Sequence, residues 1–273
     1  MNSSAKAAAL EQTIHSIIQR HGEGAIMRLG DLPAPSEAVI PTGLPDLDAV
    51  FGIGGVPRGR IIEIHGPESA GKTALALHIA RQAPNALYVD ADNGLPPVGL
   101  LGATGLHLLT VDNLEDALEA VRVAAPGFDV IVIDTLAALP MREDEITDIK
   151  WKTKNPANLL SRALPILAAE LANSGCTLVV VNQLRDIPGV MYGNPEEVTG
   201  GRALKFYASV RLDVRRIEVR KEKSEIVGQK VRIRCTKNKT APPFREAVLS
   251  LWFGCPHRPA WGLQRIAKKR RTA

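Results

Sequence analysis

The sequence predicts an α/β fold in which a mainly parallel sheet carries helices on both faces and passes, at its C-terminal side, into antiparallel strands. Three features carry that prediction. Between residues 60 and 182, short Val/Ile/Leu-rich runs alternate with helix-length segments, and strands apolar throughout belong to parallel sheets covered on both faces. The first of these strand-to-helix junctions holds a complete G-x-x-x-x-G-K-[ST] motif, which requires that setting. After about residue 208 the chain turns to longer strands that mix charged and apolar residues around a charged turn.

Taken in order, Ala7, Leu10, Ile14, Ile17 and Ile18 recur at helical spacing between Ser4 and His21, with Ser3 or Ser4 as cap and Gly22 as stop. A strand-like piece, Ala25–Leu29, follows, and Pro33, Pro35, Pro41 and Pro45 mark a linker. A lone helix and strand bury little, so residues 1–32 are expected to pack on the core or on a neighbouring subunit. The core, residues 33–255, is expected to build its sheet from Ile61–His65, Ala86–Asp90, Leu108–Val111, Val130–Asp134 and Thr177–Asn182. Helices are expected near 72–83, 114–124 and 157–174, the last kinked by Pro165. Ser209–Glu218, Lys230–Thr236 and Ala247–Phe253 form the antiparallel part, with a turn around Lys221–Gly228, and residues 256–273 read as a basic tail.

Of the 273 residues, 45% are hydrophobic and 23% charged, enough apolar material for a sizeable core. The longest apolar runs, such as Leu178–Val181, fall far short of the roughly 18 residues a membrane helix needs, so no membrane partner is expected. Cys176, Cys235 and Cys255 show neither CxxC spacing nor histidines at metal-ligand intervals, which fits a reduced, cytoplasmic chain. The N-terminus lacks the apolar core of a secretory signal. Charge divides the chain. Residues 1–149 hold 9 Lys and Arg against 20 Asp and Glu, and residues 150–273 hold 25 against 9. The second half therefore points to a polyanion partner, unless its charges are scattered over a solvated surface.

Gly66-Pro67-Glu68-Ser69-Ala70-Gly71-Lys72-Thr73 supplies the phosphate-binding chemistry. Its glycines let backbone N–H groups wrap phosphates, Lys72 reaches the β and γ phosphates, and the Thr73 hydroxyl ligates magnesium, so ATP with Mg2+ is the expected cofactor pair. Asp134, ending an apolar strand, is the expected second contact to the metal, or else a turn cap. Asp92, just past the strand ending at Asp90, stands where a water-orienting carboxylate belongs; on spacing alone it is equally a turn former.

The residues resemble the bacterial RecA recombinase family. The matching text includes Ile26-Met27-Arg28-Leu29-Gly30, Pro41-Thr42-Gly43, the P-loop with its Pro-Glu-Ser insert, Asn182-Gln183-Leu184-Arg185, Gly189-Val190-Met191-Tyr192-Gly193-Asn194-Pro195-Glu196, Thr199-Gly200-Gly201, Ala203–Asp213 and Lys237-Asn238-Lys239. The block 182–213 is the specific part. The resemblance implies a RecA-type P-loop core with an N-terminal helix-strand oligomerisation arm that includes Ile26 and Met27. It also implies a helical filament on single-stranded DNA, and homologous duplex DNA and an SOS-type repressor as partners.

By the same resemblance, Gln183 is the γ-phosphate sensor leading into a DNA-binding loop near 184–200, which carries Arg185, Gly189, Val190, Met191, Tyr192, Gly193, Asn194, Thr199, Gly200 and Gly201. Lys237 and Lys239 reach a neighbour's ATP, with Phe206, Lys205 and Arg211 at that interface. Spacing alone would make Lys-Asn-Lys a surface turn. Arg232 and Arg234 match basic positions that the family uses to guide duplex DNA. A first DNA loop near 141–157 is implied by position, and here Lys150, Trp151, Lys152 and Lys154 offer phosphate pairing beside a stacking face, or else a solvated run whose Trp packs inward.

Three departures qualify these expectations. The family's D-A-E-H text is Asp90-Ala91-Asp92-Asn93 here, so the catalytic carboxylate is one methylene short and slow turnover is expected. An aromatic that stacks on adenine is replaced by Gly99, so base selectivity should weaken. The sequence ends after Lys268-Lys269-Arg270-Arg271 without the usual C-terminal domain and its acidic tail, and the basic end is expected to be an extra polyanion contact or a solubilising tail. The rival readings are a RecA-like accessory protein with little catalysis, acting in damage tolerance, and a hexameric motor, against which the 182–213 block speaks.

Overall fold

The computed structural model describes residues 3–28, 39–92, 94–95, 106–142, 155–186, 196–198, 201–222, 224–255 and 258–265. The chain forms two compact units, residues 1–37 and 38–273. In the first, helix α1 spans Ser3–His21 and stops at Gly22, whose φ is 89°. Its apolar stripe is only partly covered, and Leu10 remains 60% exposed. Residues 25–28 form bends and coil rather than the expected strand. A strand exists only when its backbone groups find a ladder, and these residues pair with none. Leu29 lies outside the described residues.

The second unit begins with a two-stranded antiparallel ribbon, β1 (Val39–Ile40) with β2 (Val56–Pro57), around helix α2 (Pro45–Phe51). The main sheet uses β3 (Ile61–Gly66), β4 (Ala86–Asp90), β5 (Leu106–Thr110), β6 (Val130–Asp134) and β7 (Thr177–Asp186). It continues with β8 (Glu196–Val198), β9 (Val210–Glu222), β10 (Glu225–Asn238), β11 (Glu246–Cys255) and β12 (Arg258–Arg265). Its order is β12-β11-β10-β9-β3-β7-β6-β4-β5, with β8 paired to the end of β7. From β9 through β5 the neighbours are parallel; β9 to β12 and the β7–β8 pair are antiparallel.

Alternation along the strands sorts two cores. Ile62, Ile64, Tyr88, Val132 and Val181 face α3 (Lys72–Ala80), while Ile61, Leu87, Val89, Ile133 and Val180 face α4 (Leu114–Ala124) and α5 (Pro156–Ser174). Asn113 caps α4, its side chain accepting from the Asp116 N–H at 2.9 Å, and Asn155 caps α5 at the Ala157 N–H at 2.9 Å. Pro165 lies within α5, which runs on to Ser174 as one helix. Helix α6 (Arg202–Tyr207) follows Gly201.

Several boundaries differ from the sequence reading. Helix α3 ends at Ala80 rather than residue 83, and the third strand is Leu106–Thr110. The turn expected around Lys221–Gly228 is shorter than that, because β9 runs to Glu222 and pairs with β10 from Glu225 onward, absorbing the charged residues at register shifts. Residues 258–265, read as tail, form the edge strand β12 paired to β11. Among the described residues no helix is long and apolar enough to cross a membrane.

Candidate active site

The P-loop joins β3 to α3 at the carboxyl end of the parallel strands, where open α/β sheets hold their ligands. Backbone conformation there is dictated by contacts. Gly66 approaches β9 so closely that a Cβ would stand 2.1 Å from the Val214 carbonyl oxygen. Gly71 has φ 99° and Ser69 φ 55°, turning successive N–H groups toward one concavity at the start of α3. From the other side Gln229 of β10 donates its Nε2–H to the Ser69 carbonyl at 3.0 Å, bracing the loop.

This loop opens a cavity of about 680 Å³ that also holds Asp92, Asp134, Gln183 and Arg216. The antiparallel strands add an apolar wall of Val219, Ile226, Leu251 and Phe253. Lys72 is buried, its Nζ donating to the Pro67 carbonyl at 2.7 Å. Burial lowers its pKa, while the charges of Asp134, Glu68 and Asp92 oppose that shift. Asp134 is buried too, and desolvation raises its carboxyl against the hydrogen bonds from Tyr88 and Thr73. The Tyr88 hydroxyl donates to Asp134 Oδ2 at 2.6 Å, and burial holds that phenol well above its usual range.

Asp92 is raised by desolvation first and by the neighbouring Asp90 charge, opposed by the Gly94 N–H that donates to it at 3.0 Å. Gln183 extends from β7 beside β3, its N–H donating to Asn182 Oδ1 at 3.0 Å. The fit to ATP with Mg2+ rests on this geometry: a cradle whose glycines admit no side chain at Gly66, a buried ammonium, and a threonine that shares the cavity with a buried carboxylate.

The other predicted residues gather elsewhere. Lys237 Nζ donates to the carbonyls of Lys205 at 2.7 Å and Phe206 at 2.8 Å, and Lys239 Nζ to that of Phe206 at 3.2 Å. The Lys239 ammonium lies 5.7 Å from the centre of the Phe206 ring, which is 69% exposed. Burial lowers the Lys237 pKa, followed by the charges of Lys239 and Arg211. Arg211 pairs through Nε with Glu63, a fully buried carboxylate in the middle of β3, and Asn182 Nδ2 donates to the same group at 3.4 Å. None of these five residues lines the P-loop cavity.

Arg232 and Arg234 lie on β10, with the Arg234 guanidinium 5.9 Å from the centre of the Phe244 ring. Arg185 belongs to β7. Lys150, Trp151, Lys152, Lys154, Gly189 to Asn194, Thr199, Gly200 and Gly99 lie outside the described residues. Cys176 and Cys235 are free and buried, and burial pushes the Cys176 thiol up to about 12. The sequence reading missed Tyr88, Gln229, Phe253 and Glu63. Glu63 alone left a signal, a single charge inside an otherwise apolar strand.

The family model of the RecA N-terminal domain matches residues 8–256. Protein RecA of Frankia casuarinae is 48% identical over 259 residues, covering 90% of this chain and 74% of that protein. Protein RecA of Thermus thermophilus is 48% identical over 276 residues, covering 96% and 81%. A crystal structure of the RadB recombinase superimposes with a TM-score of 0.59 at 18% identity, covering 83% of this chain and 99% of that one, a likeness that bears on the fold. With a family model over most of its length and relatives at this identity, the chain belongs to the bacterial RecA family, and with it to the P-loop ATPases.

Proposed function

We propose that the protein is an ATP-dependent recombinase that forms a helical filament on single-stranded DNA and pairs that strand with homologous duplex. The observation that supports it best is one cavity holding Lys72, Thr73, Asp92 and Asp134 together with Gln183, which stands at the entry to the segment 184–200. A ligand sensed by Gln183 thus adjoins the segment that the family resemblance assigns to DNA.

In this reading the triphosphate lies along the N–H groups of 66–73 and on the N-terminus of α3. Lys72 exchanges the Pro67 carbonyl for phosphate oxygens, and Thr73 with Asp134 holds Mg2+. Bound magnesium supplies neutralising charge on the β and γ oxygens. Asp92 orients the attacking water and takes its proton, a task suited to a carboxyl raised by burial. Val219, Ile226 and Phe253 give the base an apolar wall. Lys237 and Lys239, away from their own P-loop, supply positive charge to a neighbouring copy's nucleotide, so hydrolysis depends on assembly.

Single-stranded DNA is expected to raise ATP hydrolysis, and electron microscopy with a slowly hydrolysed ATP analogue is expected to show filaments. Absence of both sinks the recombinase reading and leaves a nucleotide-binding accessory protein.

A further inference from the structure

We propose that Tyr88 is a positioning residue for Asp134, the carboxylate assigned above to magnesium, so the inference rests on the nucleotide reading. Strand β4 pairs with β6 in a register that sets Tyr88 against Val132 and Asp90 against Asp134. Side chains two residues apart share a face of a sheet, so Tyr88 and Asp134 both point to the side covered by α3. The Tyr88 ring is completely buried among apolar groups, where phenylalanine would pack equally well. Its hydroxyl is the part that packing does not explain. A buried hydroxyl requires an acceptor, and this one donates to Asp134 Oδ2 at 2.6 Å.

The consequence is geometric. Magnesium accepts only near-ideal octahedral coordination, so a carboxylate free to rotate serves it poorly. Asp134 is held by Tyr88 from within the sheet, and Thr73 of the P-loop lines the same cavity. When Thr73 turns its oxygen to the metal, the sheet-borne phenol still fixes the carboxylate plane. Partners of this kind behind a ligating group change metal affinity strongly although they never touch the metal.

The test is Tyr88→Phe in the full chain, with a fluorescent ATP analogue titrated at varied Mg2+ and again in excess chelator. The half-saturating Mg2+ concentration should rise about 10-fold. Nucleotide affinity in chelator should not change. Introduced into Asp134→Asn, the same substitution should add nothing, since its effect runs through that carboxylate.

An unaltered Mg2+ requirement in folded Tyr88→Phe overturns the inference, as do equal losses with and without Mg2+ or additive losses in the double variant. A Tyr88→Phe protein that fails to fold also overturns it, because the hydroxyl would then be holding the sheet rather than the metal site. Wild-type protein that binds no nucleotide at either Mg2+ extreme overturns the nucleotide reading itself, a separate result.

Discussion

Asp92 shows how much can turn on one methylene. Its carboxyl sits in the nucleotide cavity, shares the Gly94 N–H with Asp90, and is raised by burial. A carboxylate there has the right charge; its reach is one methylene shorter than that of a glutamate at the same position. Displacement on the scale of 1 Å costs on the order of 100-fold in rate, so Asp92→Glu should raise DNA-stimulated ATP turnover by about 10- to 100-fold. Steady-state phosphate release measures it, and an unchanged or lower rate would show that Asp92 already stands at working distance or plays no part.

At the scale of the element, β3 departs from its own pattern. Three of its six positions are isoleucines suited to burial on both faces, yet Glu63 places a carboxylate at 0% exposure. It is tolerated because the parallel register brings Arg211 of β9 directly alongside, and Asn182 of β7 supplies a second donor. The pair ties β9 and β7 to the central strand just below the P-loop and beside the Lys237 cluster. Glu63→Ala would strand a largely buried guanidinium, a change that costs about 3–5 kcal/mol. A urea titration reads it, and a loss under about 1 kcal/mol would place Arg211 in the class of exposed pairs.

For the whole molecule, the acidic and basic halves make different main contributions, although Lys72 of the first and Arg216 of the second both line the cavity. The first half supplies Glu68, Asp92 and Asp134 to the cavity; the second supplies the lysine cluster and the arginine-rich strands. Stability should also depend on pH through two histidines, His65, which is buried, and His78, which is half-buried. His65 donates Nδ1–H to the Leu212 carbonyl at 2.8 Å, and its pKa is lowered by burial and by Arg211, against Glu63 and Asp213. His78 donates to the Thr42 carbonyl at 2.8 Å and is lowered by burial and Arg81, against that bond and Asp48.

Both fall below their ordinary 6.5, so the unfolded chain takes up these protons first as pH drops. Their contribution is full above about 6.5 and is lost progressively below it, through the folded-state values. The urea midpoint should therefore fall on acidification from neutrality, and His78→Gln should flatten that slope. A midpoint indifferent to pH in this window, or a slope His78→Gln leaves unchanged, refutes the assignment.

The sequence by itself determined the parallel strands, the P-loop and Asp134, because each is a local signal: an uninterrupted apolar run, glycines at fixed spacing, a carboxylate at a strand end. It also exposed the charge split and the 182–213 block. Only the tertiary structure decided what stands against these features. Tyr88 reaches Asp134, Gln229 braces Ser69, and Phe253 faces the cavity because register and strand order bring together residues 46, 160 and more positions apart. Among the described residues, 25–28 pair with no strand for the same reason. Residues 25–28 have the composition of a strand, but a strand is a pairing between segments, and composition specifies only one side of it.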